Sequence, residues 1–293
     1  MKVWINGSFV PAAEASLSVF DAGIQHAVGL FETIEARDGK AFLGRAHMER
    51  LIDSAQQLRL ADQLKIDPLL EAVQATITEN GMEEARVRLT LTGGDLSGLQ
   101  RTGATDHEGP TIFIVAQPPT PYPDVLFEHG VKVVFAEGRV NPFDPMAGHK
   151  TLNYWSRIRM LQDAGARKAS EAIWLNFDAT LACGCVSNVF IVSDGVIRTP
   201  TARGEEGEQD LPAPVLPGVT RRFLLDHIES TELAPVEIGP ISPDDFFSAD
   251  EVFLTNSSWG VLPVTSIEKE SIGDGSVGPM TQALRRYWCD ASP

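Results

Sequence analysis

Gly148-His149-Lys150-Thr151-Leu152-Asn153-Tyr154, residues 148–154, is the stretch on which the reading of this chain turns. It follows Asn141-Pro142-Phe143-Asp144-Pro145 and leads into a run, 151–168, in which Leu152, Trp155, Ile158 and Leu161 fall on related faces of an expected helix. Lys150 therefore stands at a loop-to-helix junction. A lysine beside another potential cation, in a partly buried cleft, has its pKa lowered and becomes a nucleophile able to condense with an aldehyde. From these residues alone, a solvated lysine near a helix start is the commoner reading.

Upstream, MKVWINGSFV reads as a strand, a turn at Asn6-Gly7 and a second short strand around Phe9. A strand pair is expected over 29–36 and 41–43, joined by Arg37-Asp38-Gly39-Lys40. Met48, Leu51, Ile52, Ala55 and Leu58 recur at helical spacing, giving a helix over 45–60, and a second helix runs over 67–80. Strands follow at 85–91 and 111–116. Gln117 to Asp124, QPPTPYPD, holds four prolines in eight residues and suits neither a helix nor a central strand, so it reads as a linker. Beyond it, strands are expected at 131–136, 172–177, 186–192, 196–198 and 251–255, with a hairpin turn at Ser193-Asp194-Gly195 and a helix over 221–229. The 203–210 segment, RGEEGEQD, reads as a mobile polar surface loop. Two mixed α+β domains result, and an interdomain cleft is the default place for a ligand.

Bulk properties narrow the function. The chain has 293 residues, 43% hydrophobic and 22% charged, which is a globular composition. A net charge of −16 argues against nucleic acid and anionic membrane surfaces, since both demand basic patches. It leaves room for a small anionic cofactor, which needs only a few local donors. Cys183, Cys185 and Cys289 form no secreted disulfide framework, and no second Cys or His pair stands at ligand spacing, so no metal is expected. The N-terminus lacks the apolar segment of a signal peptide, and no apolar run approaches the roughly 20 residues that span a bilayer. The expected location is cytoplasmic.

Two further stretches offer anion-binding chemistry. Leu216-Pro217-Gly218-Val219-Thr220-Arg221 opens a helix, where glycine lets a ligand approach and free N–H groups with the Thr220 hydroxyl suit phosphate. A helix start capped by Thr reads equally well. Glu251 to Gly260, EVFLTNSSWG, delivers hydroxyls from a strand into a loop; such clusters hold phosphate, and they also make ordinary turns.

Taken together, GLFETIEARDG at 29–39, HMERLIDSA at 47–55, GHKTLNY at 148–154, SNVFIV at 187–192, LPGVTR at 216–221 and EVFLTNSSWGVLPV at 251–264 resemble, in order, the fold-type IV (class IV) pyridoxal-phosphate enzymes. That family includes branched-chain and D-amino-acid aminotransferases and 4-amino-4-deoxychorismate lyase. The resemblance implies an α+β fold with a smaller N-terminal α/β sandwich-like domain at 1–117 and a linker at 118–128. A larger C-terminal β-barrel-like domain with flanking helices, 129–293, would carry the Schiff-base lysine. It implies pyridoxal 5'-phosphate as cofactor, with Lys150 as the Schiff-base lysine and proton carrier. Tyr154 would contact the cofactor's phenolic oxygen, while Arg50, Gly218, Val219, Thr220 and Ser257 would hold its phosphate. Arg86 and Arg88, two apart on a strand and so on one face, stand with Ser258 at substrate-binding places, although structural ion pairing explains the arginines as readily. On a helical wheel Arg50 lies opposite the apolar stripe, so only the resemblance lifts it above a solvated arginine. The implied activity is transfer of an amino group from an amino acid to a 2-oxo acid in a branched-chain-like homodimeric enzyme. The alternatives are the lyase, releasing pyruvate and 4-aminobenzoate, and a cofactor-binding protein of low activity.

One departure bears on the chemistry. Where the family carries a glutamate against the cofactor's pyridine nitrogen, five residues before the Asn of SNVF, this chain has Cys183. A carboxylate there keeps the ring cationic and electron-withdrawing; a thiol, with a reference pKa of about 8.5, is a poor substitute. Nothing nearby in sequence stabilises a thiolate. Thr92-Gly93-Gly94 also stands where D-amino-acid enzymes of the family often carry an arginine for the substrate carboxylate, and Ala22 where many members have Arg in an Asp-Arg-Gly turn, which speaks against D-specificity.

Overall fold

The computed structural model describes residues 1–95, 109–208 and 210–293. They form two compact units. The first comprises Met1–Thr120, His149–Asn153 and Ser292–Pro293; the second comprises Pro121–Gly148 and Tyr154–Ala291.

In the first unit, β1 (Lys2–Ile5) and β2 (Ser8–Pro11) flank the Asn6-Gly7 turn, then α1 (Ala22–His26) leads to β3 (Gly29–Arg37) and β4 (Lys40–Ala41). Two 14-residue helices follow, α2 (Gly44–Gln57) and α3 (Ile66–Glu79), then β5 (Ala85–Thr92) and β6 (Ile112–Gln117). The sheet order is β2-β1-β6-β5-β3-β4, antiparallel throughout. Asp38 and Gly39, with φ of 50° and 72°, make the two-residue loop that joins Arg37 to its partner Lys40. Along β3 the even positions Leu30, Ile34 and Ala36 join Val87, Leu89 and Leu91 of β5 in a core closed by Met48, Leu51 and Ala55 of α2 and Val73 and Ile77 of α3. The odd positions Phe31, Thr33 and Glu35 share the opposite face with Arg86, Arg88 and Thr90 of β5.

The second unit begins with α4 (Val125–Glu128), β7 (Val131–Val140), α5 (Trp155–Ala166), β8 (Glu171–Asn176), β9 (Leu181–Gly184), β10 (Asn188–Ser193) and β11 (Val196–Thr199). It continues with α6 (Val219–Thr231), β12 (Val236–Ile238), α7 (Pro243–Phe247), β13 (Glu251–Asn256), β14 (Gly260–Ile267), β15 (Glu270–Ser271) and α8 (Pro279–Asp290). Its sheet runs β12-β11-β10-β13-β14-β7-β8-β9, with β15 paired to β14. The pairs β7–β8 and β11–β12 are parallel, as crossovers through α5 and α6 require. One sheet face buries Val131, Val133, Val189, Ile191, Leu254 and Val264.

Several expectations shift at their edges for identifiable reasons. The helix expected from 151 starts at Trp155, because Thr151 bridges Leu30 and the Leu152 N–H donates to Gly29 O at 2.9 Å, while Phe31 N–H donates to Lys150 O at 3.0 Å. Strand-type bonding thus captures 149–153 and ties it to β3, so the lysine expected in the 129–293 domain belongs to the first unit. The strand expected from Val186 starts at Asn188, since the Glu171 carboxylate takes the N–H groups of Cys185 and Val186 into a turn. In the segment expected to be mobile, Glu205 and Glu206 are anchored: Glu205 pairs with Arg221, and Glu206 accepts from Ala213 N–H at 2.6 Å. The linker prolines precede α4, and the boundary between units falls among them, at Thr120–Pro121.

Candidate active site

In the first unit the chemistry gathers on β3, α2 and the 149–153 segment. Lys150 is held by strand-type bonds at its own carbonyl and at Leu152 N–H, and its Nζ lies 4.5 Å from the centroid of the Phe31 ring. The Arg88 guanidinium lies over the same ring at 3.8 Å. An aromatic face flanked by two cations is a contact that each cation's charge favours and their mutual repulsion opposes. Thr90, the cross-strand partner of Phe31, is buried with a hydroxyl that has no hydrogen-bond partner among the described residues. Arg86 shares the face but is exposed and donates to Gln117 Oε1 at 3.2 Å. Of the two arginines, the structure brings only Arg88 to Phe31 and Lys150.

Behind this face, Glu32 interrupts the apolar side of β3. It is 1% exposed and accepts from Arg50 Nε at 2.9 Å, Arg50 Nη2 at 2.5 Å and His47 Nδ1 at 2.7 Å. Burial alone would raise its pKa; the Arg50 charge and the His47 hydrogen bond outweigh that and hold it at about 2. His47 goes the other way. Burial lowers its pKa against the pull of Glu32, and the Arg50 and Lys150 charges lower it further, so the imidazole is held neutral. Arg50 is therefore not the solvated arginine its wheel position suggested: its side chain is 9% exposed and locked to a carboxylate. His149, beside Lys150, contacts Ser54 Oγ through Nδ1 at 3.0 Å.

In the second unit, Gly218 is the N-cap of α6, and no side chain caps that helix. A Cβ on Gly218 would sit 1.9 Å from Asn188 Oδ1, so only glycine lets the turn pass so close to the strand. Asn188 itself donates to Leu216 O at 2.8 Å, fixing the turn from below. Thr220 lies in the first helical turn, with its hydroxyl 3.5 Å from the Ser257 hydroxyl. Thr255, paired across strands with Asn188, is buried with a hydroxyl that has no partner among the described residues. Uncapped N–H groups at a helix start with nearby hydroxyls form a donor set suited to a phosphate. Ser258 donates its N–H to Asn256 Oδ1 at 2.8 Å, which shapes the turn after β13.

Tyr154, at the start of α5, is pushed up to about 12 by burial, so its phenol is a proton donor; it donates to Cys185 O at 3.0 Å. One turn on, Arg157 donates through Nη1 to Gly184 O at 2.9 Å, Cys185 O at 3.2 Å and the Cys183 sulfur at 3.5 Å. Burial works against its charge, and the thiol and phenol beside it outweigh that, raising its pKa further above the ordinary range. The fully buried Glu171 accepts from Ala172, Cys185 and Val186 N–H and from the Ser187 hydroxyl, which makes it the post around which the 184–187 turn is built. Arg221 is also fully buried, forked onto Glu205 at 2.6 and 2.7 Å.

Residues 29–267 match the family model described as amino-transferase class IV. The chain belongs to the class IV aminotransferases. A putative branched-chain-amino-acid aminotransferase of Methanocaldococcus jannaschii is 31% identical over 99% of this class IV chain and 96% of its own length. Among solved structures, the branched-chain amino acid aminotransferase of Escherichia coli superposes at a TM-score of 0.88 and 26% identity, covering 98% of this chain and 93% of that one. The 4-amino-4-deoxychorismate lyase from Pseudomonas aeruginosa gives 0.83 and 27%, covering 98% of each. This class IV aminotransferase thus has the fold-type IV architecture expected of it.

Sequence reasoning missed three buried charges, Glu32, Glu171 and Arg221, and the half-buried Arg157. Two carried a signal. Glu32 breaks an apolar alternation, which a strand tolerates only where partners wait, and Arg157 stands three residues after Tyr154 on one helix face. Glu171 and Arg221 find their partners through turns that no spacing rule anticipates. Among the described residues no cluster of His, Cys, Asp or Glu is arranged to hold a metal ion, and no helix is long and apolar enough to cross a membrane.

Proposed function

We propose that this chain is a pyridoxal 5'-phosphate-dependent aminotransferase that moves an amino group from a branched-chain-like amino acid to a 2-oxo acid. The observation that carries the reading is Lys150: an amine whose backbone carbonyl accepts from Phe31 N–H, set over the Phe31 ring with Arg88 on the same ring. A lysine amine in its free form is a nucleophile able to condense with an aldehyde. The phosphate end of the cofactor fits the residues present: a glycine turn that a Cβ would fill, an uncapped helix start, and the hydroxyls of Thr220, Ser257 and Thr255.

When bound, the cofactor supplies an aldehyde that condenses with amines and a ring that draws electrons from the bond being broken. Lys150 Nζ would be the amine that anchors the aldehyde and, as the free amine, the base that takes the α-proton from the substrate carbon. Gly218, Val219 and Thr220 present backbone donors to the phosphate, with the Thr220 and Ser257 hydroxyls adding to them and Arg50 supplying charge. Tyr154, kept protonated, would turn its one proton from Cys185 O to the phenolic oxygen when the cofactor is bound. Arg88 meets a substrate carboxylate, with Arg86 and Ser258 at the same end of the substrate.

The enzyme acts as a homodimer on small-molecule substrates and engages neither nucleic acid nor membrane. Val19, Phe20 and Ile24 are 69%, 62% and 61% exposed within one short segment, and Trp155 is 79% exposed, the kind of apolar surface that a second subunit covers. The three cysteines are free thiols, which suits a cytoplasmic, reducing location. A lyase reading is favoured by the likeness to 4-amino-4-deoxychorismate lyase. An amino-donor screen read by cofactor absorbance separates the two. Conversion to the pyridoxamine form by a donor alone supports the aminotransferase, while pyruvate release from aminodeoxychorismate with no such conversion supports the lyase. A protein that does neither overturns both.

A further inference from the structure

Arg157 is charged, half-buried and without a carboxylate partner among the described residues. Its Nη1 reaches three acceptors, the Gly184 and Cys185 carbonyl oxygens and the Cys183 sulfur, and Nε and Nη2 make no hydrogen bond to any described residue. The nearby carboxylate, Glu171, is occupied elsewhere, with both oxygens taken by the 184–187 turn and Ala172. The flanking rings of Tyr154 and Trp174 each lie 5.9 Å from the guanidinium carbon. Withdrawing a guanidinium from water without a counter-charge is costly. Tethering one arm to neutral acceptors also fixes the direction of the other arm. Such an arrangement suits a ligand atom that carries a lone pair. Arginine in a protein donates and never accepts, so the atom it meets must be unprotonated.

We propose that the free arm of Arg157 donates to the ring nitrogen of pyridoxal phosphate and holds that nitrogen unprotonated. The inference rests on the aminotransferase reading above and on the place of Cys183, the residue that stands where a carboxylate would otherwise face the ring nitrogen. In this chain the charge at that place is reversed. The Cys183 sulfur lies against a cation, and the cation takes over the contact with the ring. A ring nitrogen that accepts from a guanidinium withdraws less charge than one protonated by a carboxylate, so more of the work of α-proton removal falls on Lys150. Arg157 is in this sense a tuning contact to the cofactor.

The test compares two cofactors on one protein. Apoprotein is titrated with pyridoxal phosphate and with its 1-deaza analogue, in which C–H replaces the ring nitrogen, and the two dissociation constants are measured by absorbance. One charge-assisted hydrogen bond predicts about tenfold tighter binding of pyridoxal phosphate to the wild type. Arg157→Met is expected to bind the two within about twofold of each other. Nitrogen-15 NMR of ring-labelled cofactor on the wild type requires no variant and is expected to show an unprotonated ring nitrogen. A protonated ring nitrogen, equal affinities in the wild type, or a preference that survives in Arg157→Met would each overturn the proposal. Borohydride labelling in parallel keeps the two readings apart. Cofactor fixed on Lys150 without a ring-nitrogen preference refutes the role of Arg157 alone, whereas cofactor that never attaches to Lys150 refutes the aminotransferase reading beneath it.

Discussion

Glu32→Gln should destabilise the protein by about 3 kcal/mol at neutral pH, through a single buried carboxylate. Glu32 is enclosed in the core side of β3, where an isolated charge would neutralise itself, yet Arg50 and His47 hold its pKa at about 2 against an ordinary 4.5. At about 1.4 kcal/mol for each tenfold change in proton affinity, that difference corresponds to about 3 kcal/mol of stability above pH 5. The sign follows from linkage. The unfolded chain binds the proton first, so stability falls as pH drops from 4.5 toward 2, and the contribution is gone below 2. Removing the carboxylate breaks the buried pair of Glu32 with Arg50, a loss of the same order by the measure of broken buried pairs. Urea unfolding of wild type and variant, followed from pH 7 to pH 2, gives the difference directly: about 3 kcal/mol at pH 7, shrinking toward zero in acid. A constant difference across that range, or none at pH 7, would refute the linkage argument.

Other outcomes follow from single contacts. Gly218→Ala places a Cβ 1.9 Å from Asn188 Oδ1 at a backbone φ of −68° that alanine tolerates; the clash alone should weaken pyridoxal phosphate binding about tenfold, a loss on the order of 1–3 kcal/mol for a strained close contact, measured by titration of apoprotein. Glu205→Gln strips the fully buried Arg221 of its forked partner and should cost about 3 kcal/mol in thermal or urea unfolding, with Glu205→Asp restoring part of it. Sedimentation should return a dimer, and charged substitutions at Phe20 and Ile24, both more than 60% exposed, should shift it toward monomer without unfolding it.

Much of the first unit was legible because its signals are local. Alternation along β3 and β5, the stripe on α2 and the Asp38-Gly39 turn each fix backbone geometry from neighbouring residues alone. The 151–154 segment was misread as helix for the opposite reason. Its periodicity is genuine, but its backbone groups and those of Lys150 pair with Gly29 and Phe31, far away in sequence, a contact that spacing cannot announce. The edge of β10 moved for the same cause, a buried side chain at 171 outcompeting the ladder for two N–H groups. Resemblance picked out Lys150, Tyr154, Thr220 and Ser257. It was silent on Arg157, because a guanidinium meeting Cys183 is a property of this chain's own pairing of residues.

The central claim is that the amine at 150 carries the cofactor. Borohydride reduction of protein loaded with pyridoxal phosphate, followed by proteolysis and mass spectrometry, reads this at residue resolution. The account predicts a phosphopyridoxyl group on the peptide containing Lys150, absent when that residue is replaced by alanine. A label on a different lysine, or a loaded protein that yields none, would contradict it.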